Sequence, residues 1–150
     1  MKKQVNKDVS LHPASDADLA FARELIRLNM RDYYSQCGLI WQPEGFDAQW
    51  PLRENYLILK GDTCAGYLGV TRESSYLYVR DVQLIERYRG EGVGGRVMGR
   101  VTEMAIEQRC ACVRLKVFKT NPAVHWYKRL GFVTVGEEQA LLWMERVISV

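Results

Sequence analysis

The chain has 150 residues, 47% of them hydrophobic and 26% charged, which is one domain's worth of sequence with an ordinary balance of core and surface. A net charge of +3 neither demands nor excludes a polyanionic partner, but no run of Lys or Arg is long enough for a nucleic-acid arm, so no nucleic-acid partner is expected. No stretch approaches the roughly 20 apolar residues of a membrane span, and the basic N-terminus lacks the apolar run of a secretion signal, so neither membrane insertion nor export is expected.

Residues 5–11 read as a short strand ending at His12-Pro13. Ser15 or Asp16 then caps a helix with Leu19, Ala22, Ile26, Met30 and Tyr33 on one face. Between residues 31 and 51 the pattern loosens, with Tyr33, Tyr34, Trp41, Phe46 and Trp50 set among Asp32, Gln36, Glu44 and Asp47. Pro43 and Pro51 bracket a short helix there, and Phe46 and Trp50 are read as packing onto a sheet.

Residues 55–60 and 63–71 form a hairpin across Gly61-Asp62, a favourable turn pair. Gly66 and Gly69 in its second strand mark a bulge or a close backbone approach. In the next strand, 75–84, alternation separates Leu77, Val79, Asp81 and Gln83 from Tyr76, Tyr78, Arg80, Val82 and Leu84. A helix over 92–109 carries Val93, Val97, Val101, Met104 and Gln108 on one stripe, and the strand 112–118 follows. Asn121 as N-cap with Pro122 behind it opens another helix, Gly131 stops it, and 132–136 with 140–147 make a closing antiparallel pair. Cys37, Cys64, Cys110 and Cys112 form no C-x-x-C pair, and His12 and His125 are not spaced to complete a zinc site, so no metal is expected. Free thiols fit a reducing cytoplasm.

The most informative stretch joins strand 75–84 to helix 92–109: Arg89-Gly90-Glu91-Gly92-Val93-Gly94-Gly95. Glycine accepts positive φ and needs no room for Cβ, so the backbone can curl until its N–H groups face one point. The helix start behind it adds unpaired donors and about half a positive charge. Four glycines in six positions exceed what a plain turn needs, and the loop reads as a phosphate or pyrophosphate cradle. Gly90, Gly92 and Gly95 satisfy a dinucleotide-type G-x-G-x-x-G, but the next strand ends in Val117-Phe118-Lys119 with no carboxylate for a ribose. No Lys-Ser or Lys-Thr follows the glycines, which rules out a P-loop.

What remains is Arg89-x-x-Gly92-x-Gly94, followed about thirty residues on by Asn121-Pro122-Ala123-Val124-His125-Trp126-Tyr127-Lys128-Arg129-Leu130-Gly131-Phe132. This pair of motifs resembles the GNAT superfamily of acetyl-CoA-dependent N-acetyltransferases, in order and in spacing. The resemblance implies an α/β (α+β) fold in one domain over 1–150: a mixed, mostly antiparallel central sheet, splayed around acyl-CoA and flanked by helices. It further implies that the loop residues Arg89, Gly90, Glu91, Gly92, Val93, Gly94 and Gly95 hold the cofactor diphosphate, and that peptide groups of Val82, Gln83 and Leu84 pair with the pantetheine arm. Arg89's side chain has two readings, direct phosphate contact, or a structural role as a salt bridge or a solvent-exposed group. Asn121 likewise either touches the arm or only caps its helix. Tyr33, Tyr34 and Trp41 are implied for the acceptor site.

Tyr127, six residues after Asn121, matches the family's general acid, since a phenol with a pKa near 10 keeps its proton at neutral pH. The alternative is a core aromatic. His125 falls on another helix face and is read as structural or exposed. Asp81 is the leading base, balanced against a structural acceptor of backbone N–H groups, with Glu73, Asp32 and Glu44 as further options. The resemblance thus points to acetyl transfer from acetyl-CoA to an amine on a small molecule or a protein, a homodimer remaining open. The competing class is a catalytically silent acyl-CoA sensor or scaffold.

Overall fold

The computed structural model describes residues 8–148. In chain order its elements are β1 (Val9–Pro13), α1 (Leu19–Gln36), α2 (Pro43–Gln49), β2 (Glu54–Lys60), β3 (Thr63–Glu73), β4 (Tyr76–Leu84), α3 (Val93–Glu107), β5 (Cys112–Phe118), α4 (Ala123–Arg129), β6 (Val133–Glu138) and β7 (Leu141–Val147). Short 3-10 turns at Asp16–Asp18, Trp50–Leu52 and Glu86–Tyr88 join them. The strands form one seven-stranded sheet in the order β1-β2-β3-β4-β5-β7-β6. Every neighbouring pair is antiparallel except β4 with β5. This is the mixed, mostly antiparallel sheet expected.

Each face of the sheet carries its own core. The larger cluster sits under α3 and α4, where Val93, Val97, Met98, Val101 and Met104 meet Leu68, Val70, Leu77, Val79, Leu115 and Met144. The smaller one joins Ala22, Leu25 and Ile26 of α1 to Phe46, Trp50 and Tyr67. The Trp50 and Tyr67 rings stack at 5.8 Å, and Phe46 stands edge-on to both. Phe46 and Trp50 therefore pack on the sheet as their spacing suggested.

The first strand extends beyond its expected end. Of the expected 5–11, residues 5–7 lie outside the described residues, and β1 continues through His12 to Pro13, which pairs with Tyr56. A proline lacks the N–H that a central strand would need, but β1 is an edge of the sheet and has a partner on one side only. Of the stripe expected on α3, Val93, Val97, Val101 and Met104 are buried, while Gln108 is half-buried and only caps the helix, which ends at Glu107; Gly92 starts it in the left-handed region, at φ 83°.

Simple alternation along β4 fails at Arg80. Val79 pairs with Val70 and Asp81 with Gly69, so Arg80 is the extra residue of a bulge. Beyond the bulge the faces exchange. Val82 and Leu84 pack with Leu77 and Val79 against the larger cluster, while Asp81 and Gln83 bond to residues on the α1 side. The grouping of Leu77, Val79, Asp81 and Gln83 on one face is thereby corrected.

Tyr67 gives the fold a pH signature. Burial pushes its phenol from 10.0 up to about 12. The folded chain then holds a proton that the unfolded chain releases, so this contribution is whole below about pH 10 and is lost as pH rises toward about 12. Thermal melts across that alkaline window are expected to show a falling Tm, with a shallower fall in Tyr67→Phe.

Among the described residues no helix is long and apolar enough to cross a membrane, and no group of three or more His, Cys, Asp and Glu side chains could hold a metal. Cys37, Cys64, Cys110 and Cys112 are free thiols, the last two buried.

Candidate active site

The parallel seam between β4 and β5 is short. It runs from Tyr76–Cys112 to Val79–Leu115, yet β4 continues to Leu84 and β5 to Phe118. The bulge at Arg80 turns β4 away, and β5 stays paired along its whole length with β7. The resulting gap opens into a cleft of about 690 Å³ that passes between the strands, with α1 and α2 on one side and α4 on the other. Val82 and Gln83 of the freed strand line it, together with Asp81, Asn121 and Tyr127.

At the end of β4 the chain makes its glycine curl. Gly90 and Gly92 have φ of 76° and 83°, conformations that a side chain would strain. The first helical bond of α3 runs from the Arg96 N–H to the Gly92 oxygen at 3.2 Å, so the amides of Val93, Gly94 and Gly95 fall in the open first turn. The remaining glycines differ in purpose. A Cβ on Gly94 would lie 3.1 Å from the Trp126 ring, whereas one on Gly95 would meet nothing within 4 Å. Gly94 thus admits Trp126, and Gly95 leaves the approach to the turn clear. Val93 is a core residue as well as a loop residue, and Glu91 forms an ion pair with Lys60.

Arg89 has turned toward α1. Its Nη2 donates to Asn29 Oδ1 at 2.7 Å and to the Leu84 carbonyl at 3.4 Å. It borders a second groove, of about 830 Å³, along Phe21, Leu25, Leu28, Tyr33 and Ile85. Arg89 is solvent-exposed, one of the readings open from sequence, and its partners are neutral: the Asn29 amide and the Leu84 carbonyl.

Asp81 sits at the centre of a side-chain network. Arg53 Nη1 donates to its Oδ2 at 2.9 Å, and Gln83 Nε2 to its Oδ1 at 3.1 Å. Asn29 Nδ2 in turn donates to Gln83 Oε1 at 3.1 Å and to the Leu84 carbonyl at 3.0 Å. The carboxylate is therefore held by side chains, where the structural alternative had invoked backbone N–H groups. The other base options lie elsewhere: Glu73 pairs with Arg80, Asp32 borders the second groove, and Glu44 is exposed in the first turn of α2.

Tyr127 projects from α4, packed against Trp126 at 4.9 Å and Phe132 at 5.6 Å. Among the described residues its hydroxyl has no hydrogen-bond partner, and it lines the cleft. Burial pushes its phenol far above the ordinary range, and the charge on Asp81 pushes it further. Tyr34 is raised by the same two causes. Both phenols consequently stay protonated at any neutral pH. The N-cap position of α4 falls to Pro122 and the helix begins at Ala123, one residue later than read; Asn121 stands just outside, its Oδ1 accepting the Ala123 N–H at 2.9 Å. His125 is exposed.

Of the three aromatics read into an acceptor site, Tyr34 and Trp41 line the cleft with Asp81. Tyr33 does not; it stacks on Phe118 at 5.9 Å and borders the second groove. Sequence reasoning missed Arg53 and Asn29. Arg53 finds Asp81 across 28 residues and Asn29 finds Gln83 across 54, so no local spacing could have announced either.

Residues 22–132 match the profile of the Acetyltransferase (GNAT) family. A thialysine N-epsilon-acetyltransferase from Mus musculus is 34% identical over 67 residues, 44% of this chain and 39% of the relative. A streptothricin acetyltransferase from Streptomyces lavendulae is 31% identical over 80 residues, 51% of this chain and 42% of the relative. The match thus spans less than half the length of these curated relatives. The crystal structure of PaiA N-acetyltransferase from Thermoplasma acidophilum, in complex with coenzyme A, superposes with a TM-score of 0.74 over 93% of this chain and 99% of that one, at 14% identity.

Proposed function

Because this chain belongs to the GNAT acetyltransferase family, we propose that it moves an acetyl group from acetyl-CoA to a primary amine by direct attack, with Tyr127 as general acid. The observation that carries the reading is the parting of β4 from β5 after Val79 and Leu115, with Tyr127 and Asp81 both lining the cleft that opens there. When bound, acetyl-CoA supplies an activated thioester. The first-turn amides behind Gly92, joined by Arg89 once it leaves Asn29, hold the diphosphate. The freed edge of Val82, Gln83 and Leu84 steers the pantetheine arm through the gap, with Asn121 at its side. Tyr127 gives its proton, or a hydrogen bond, to the departing thiolate. Asp81 takes the proton that the attacking ammonium must lose, its carboxylate oriented by Arg53 and Gln83. Tyr34 and Trp41 wall the acceptor end. A relative named for acetylating the Nε of thialysine supports an amine as acceptor.

Titration calorimetry with coenzyme A, followed by thiol release from acetyl-CoA with a panel of amines, tests the reading. Coenzyme A uptake without turnover of any amine would favour the silent binding module, and no uptake would remove both. Asp81→Asn is expected to lower kcat/KM by about 10²-fold or more; a variant as active as the wild type would take the base role from Asp81.

A further inference from the structure

Resting on that acetyl-transfer reading, we propose that Arg53 recognises a carboxylate on the acceptor, so that the substrate is an amino acid acting through its amine rather than a polyamine. Arg53 follows the Trp50–Leu52 turn at the mouth of β2, and its side chain is only 10% exposed. The guanidinium lies 5.0 Å from the centre of the Phe46 ring. Nη1 serves the interior, donating to Asp81 Oδ2 at 2.9 Å and to the Tyr67 hydroxyl at 3.4 Å. That leaves Nε and Nη2, which point the same way and form the flat two-pronged edge that matches a carboxylate.

Among the described residues neither atom has a partner. Nε is enclosed, the only enclosed side-chain nitrogen or oxygen among them left unpaired. Nη2 remains open where Arg53 lines the cleft. A buried donor without an acceptor destabilises the fold, so a carboxylate that binds Nη2 gains further when the groups enclosing Nε shift to admit its second oxygen.

The other cations of the cleft are already engaged. Arg80 bonds Glu73 at 3.2 Å and Thr71 at 3.0 Å, and Lys116 bonds Glu138 at 3.1 Å. A polyamine would bring a second positive charge against the guanidinium, with no carboxylate of its own to offer it. An amine that carries its own carboxylate instead presents one charge to Asp81 and the opposite one to Arg53. The walls around the pair, Ile26, Met30, Tyr34, Ile40 and Trp41, add no further charge.

The test compares lysine with 1,5-diaminopentane and ornithine with 1,4-diaminobutane, pairs that differ by the carboxylate alone. In the wild type kcat/KM is expected to favour each amino acid by about 10- to 100-fold. Arg53→Lys keeps a charge beside Asp81 but removes the fork, and should bring the ratio to within about threefold through KM. Diamines turned over as well as the amino acids, or a preference that survives Arg53→Lys unchanged, overturns the proposal. If none of the four is acetylated, calorimetry of the same four beside bound coenzyme A decides it, and equal or absent binding overturns it. Coenzyme A uptake is read separately, so its failure strikes the acetyl-transfer reading and not the carboxylate comparison.

Discussion

Replacing Tyr127 with Phe is expected to lower kcat by about 10²–10⁴-fold while leaving the affinity for acetyl-CoA nearly unchanged. The variant removes one oxygen, from a residue that lines the cleft, and disturbs no hydrogen bond found among the described residues. The ring itself keeps its packing on Trp126 and Phe132. A residue of merely structural value would show the reverse: normal turnover, or a loss tracking stability. Since burial and the Asp81 charge hold the phenol protonated well into the alkaline range, the wild-type rate should show no decline from this group between about pH 7 and pH 10. Single-turnover acetyl transfer with a saturating amine, beside a calorimetric titration of acetyl-CoA, reads both quantities. Wild-type kinetics in the variant would remove Tyr127 from the chemistry.

Gly66→Ala is expected to destabilise the chain by about 3 kcal/mol or more, lowering Tm by roughly 10 °C. The added Cβ would stand 2.1 Å from the Gln83 carbonyl oxygen and 3.1 Å from the Leu84 Cα, and both are backbone atoms that no rotamer change can move. Relief requires β3 to draw away from β4 at the Gly66–Leu84 pair. Because 82–84 form the freed edge proposed for the pantetheine arm, coenzyme A uptake should fall with stability. Gly95→Ala is the control: its Cβ meets nothing, and alanine is the better helix former by about 1 kcal/mol. Equal melting temperatures for the two variants would refute the close-approach account of Gly66.

The elements that sequence disclosed are those whose cause is local. The hairpin turn at Gly61-Asp62, the apolar stripe of α3 and the Asn121 turn into α4 each depend on residues within a few positions, and β5 occupies Cys112–Phe118 as read. The glycine loop was legible for the same reason, although Gly94 proves to make room for Trp126 rather than only to loosen the backbone. What escaped is set by tertiary neighbours. The Arg80 bulge depends on how β4 pairs with β3, and one extra residue exchanged the faces of Asp81, Val82, Gln83 and Leu84. Pro13 joined a strand because β1 happens to lie at an edge. Tyr33 and Tyr34, adjacent in sequence, were read together; they project from a helix about 100° apart, and only Tyr34 reaches the cleft.

The brevity of the parallel seam has a mechanical consequence. Four residue pairs are all that stitch strands one to four onto strands five to seven. On the α3 face the large cluster runs unbroken from Ile58 and Leu68 to Val113 and Met144, so that side acts as the spine of a book. On the opposite face the covers are joined by side chains alone: Tyr33 and Tyr34 on Phe118, Tyr78 on Trp143 at 5.4 Å, and Arg114 over the Tyr76 ring at 4.6 Å. Whatever threads the gap between them binds two half-sheets together as it is held.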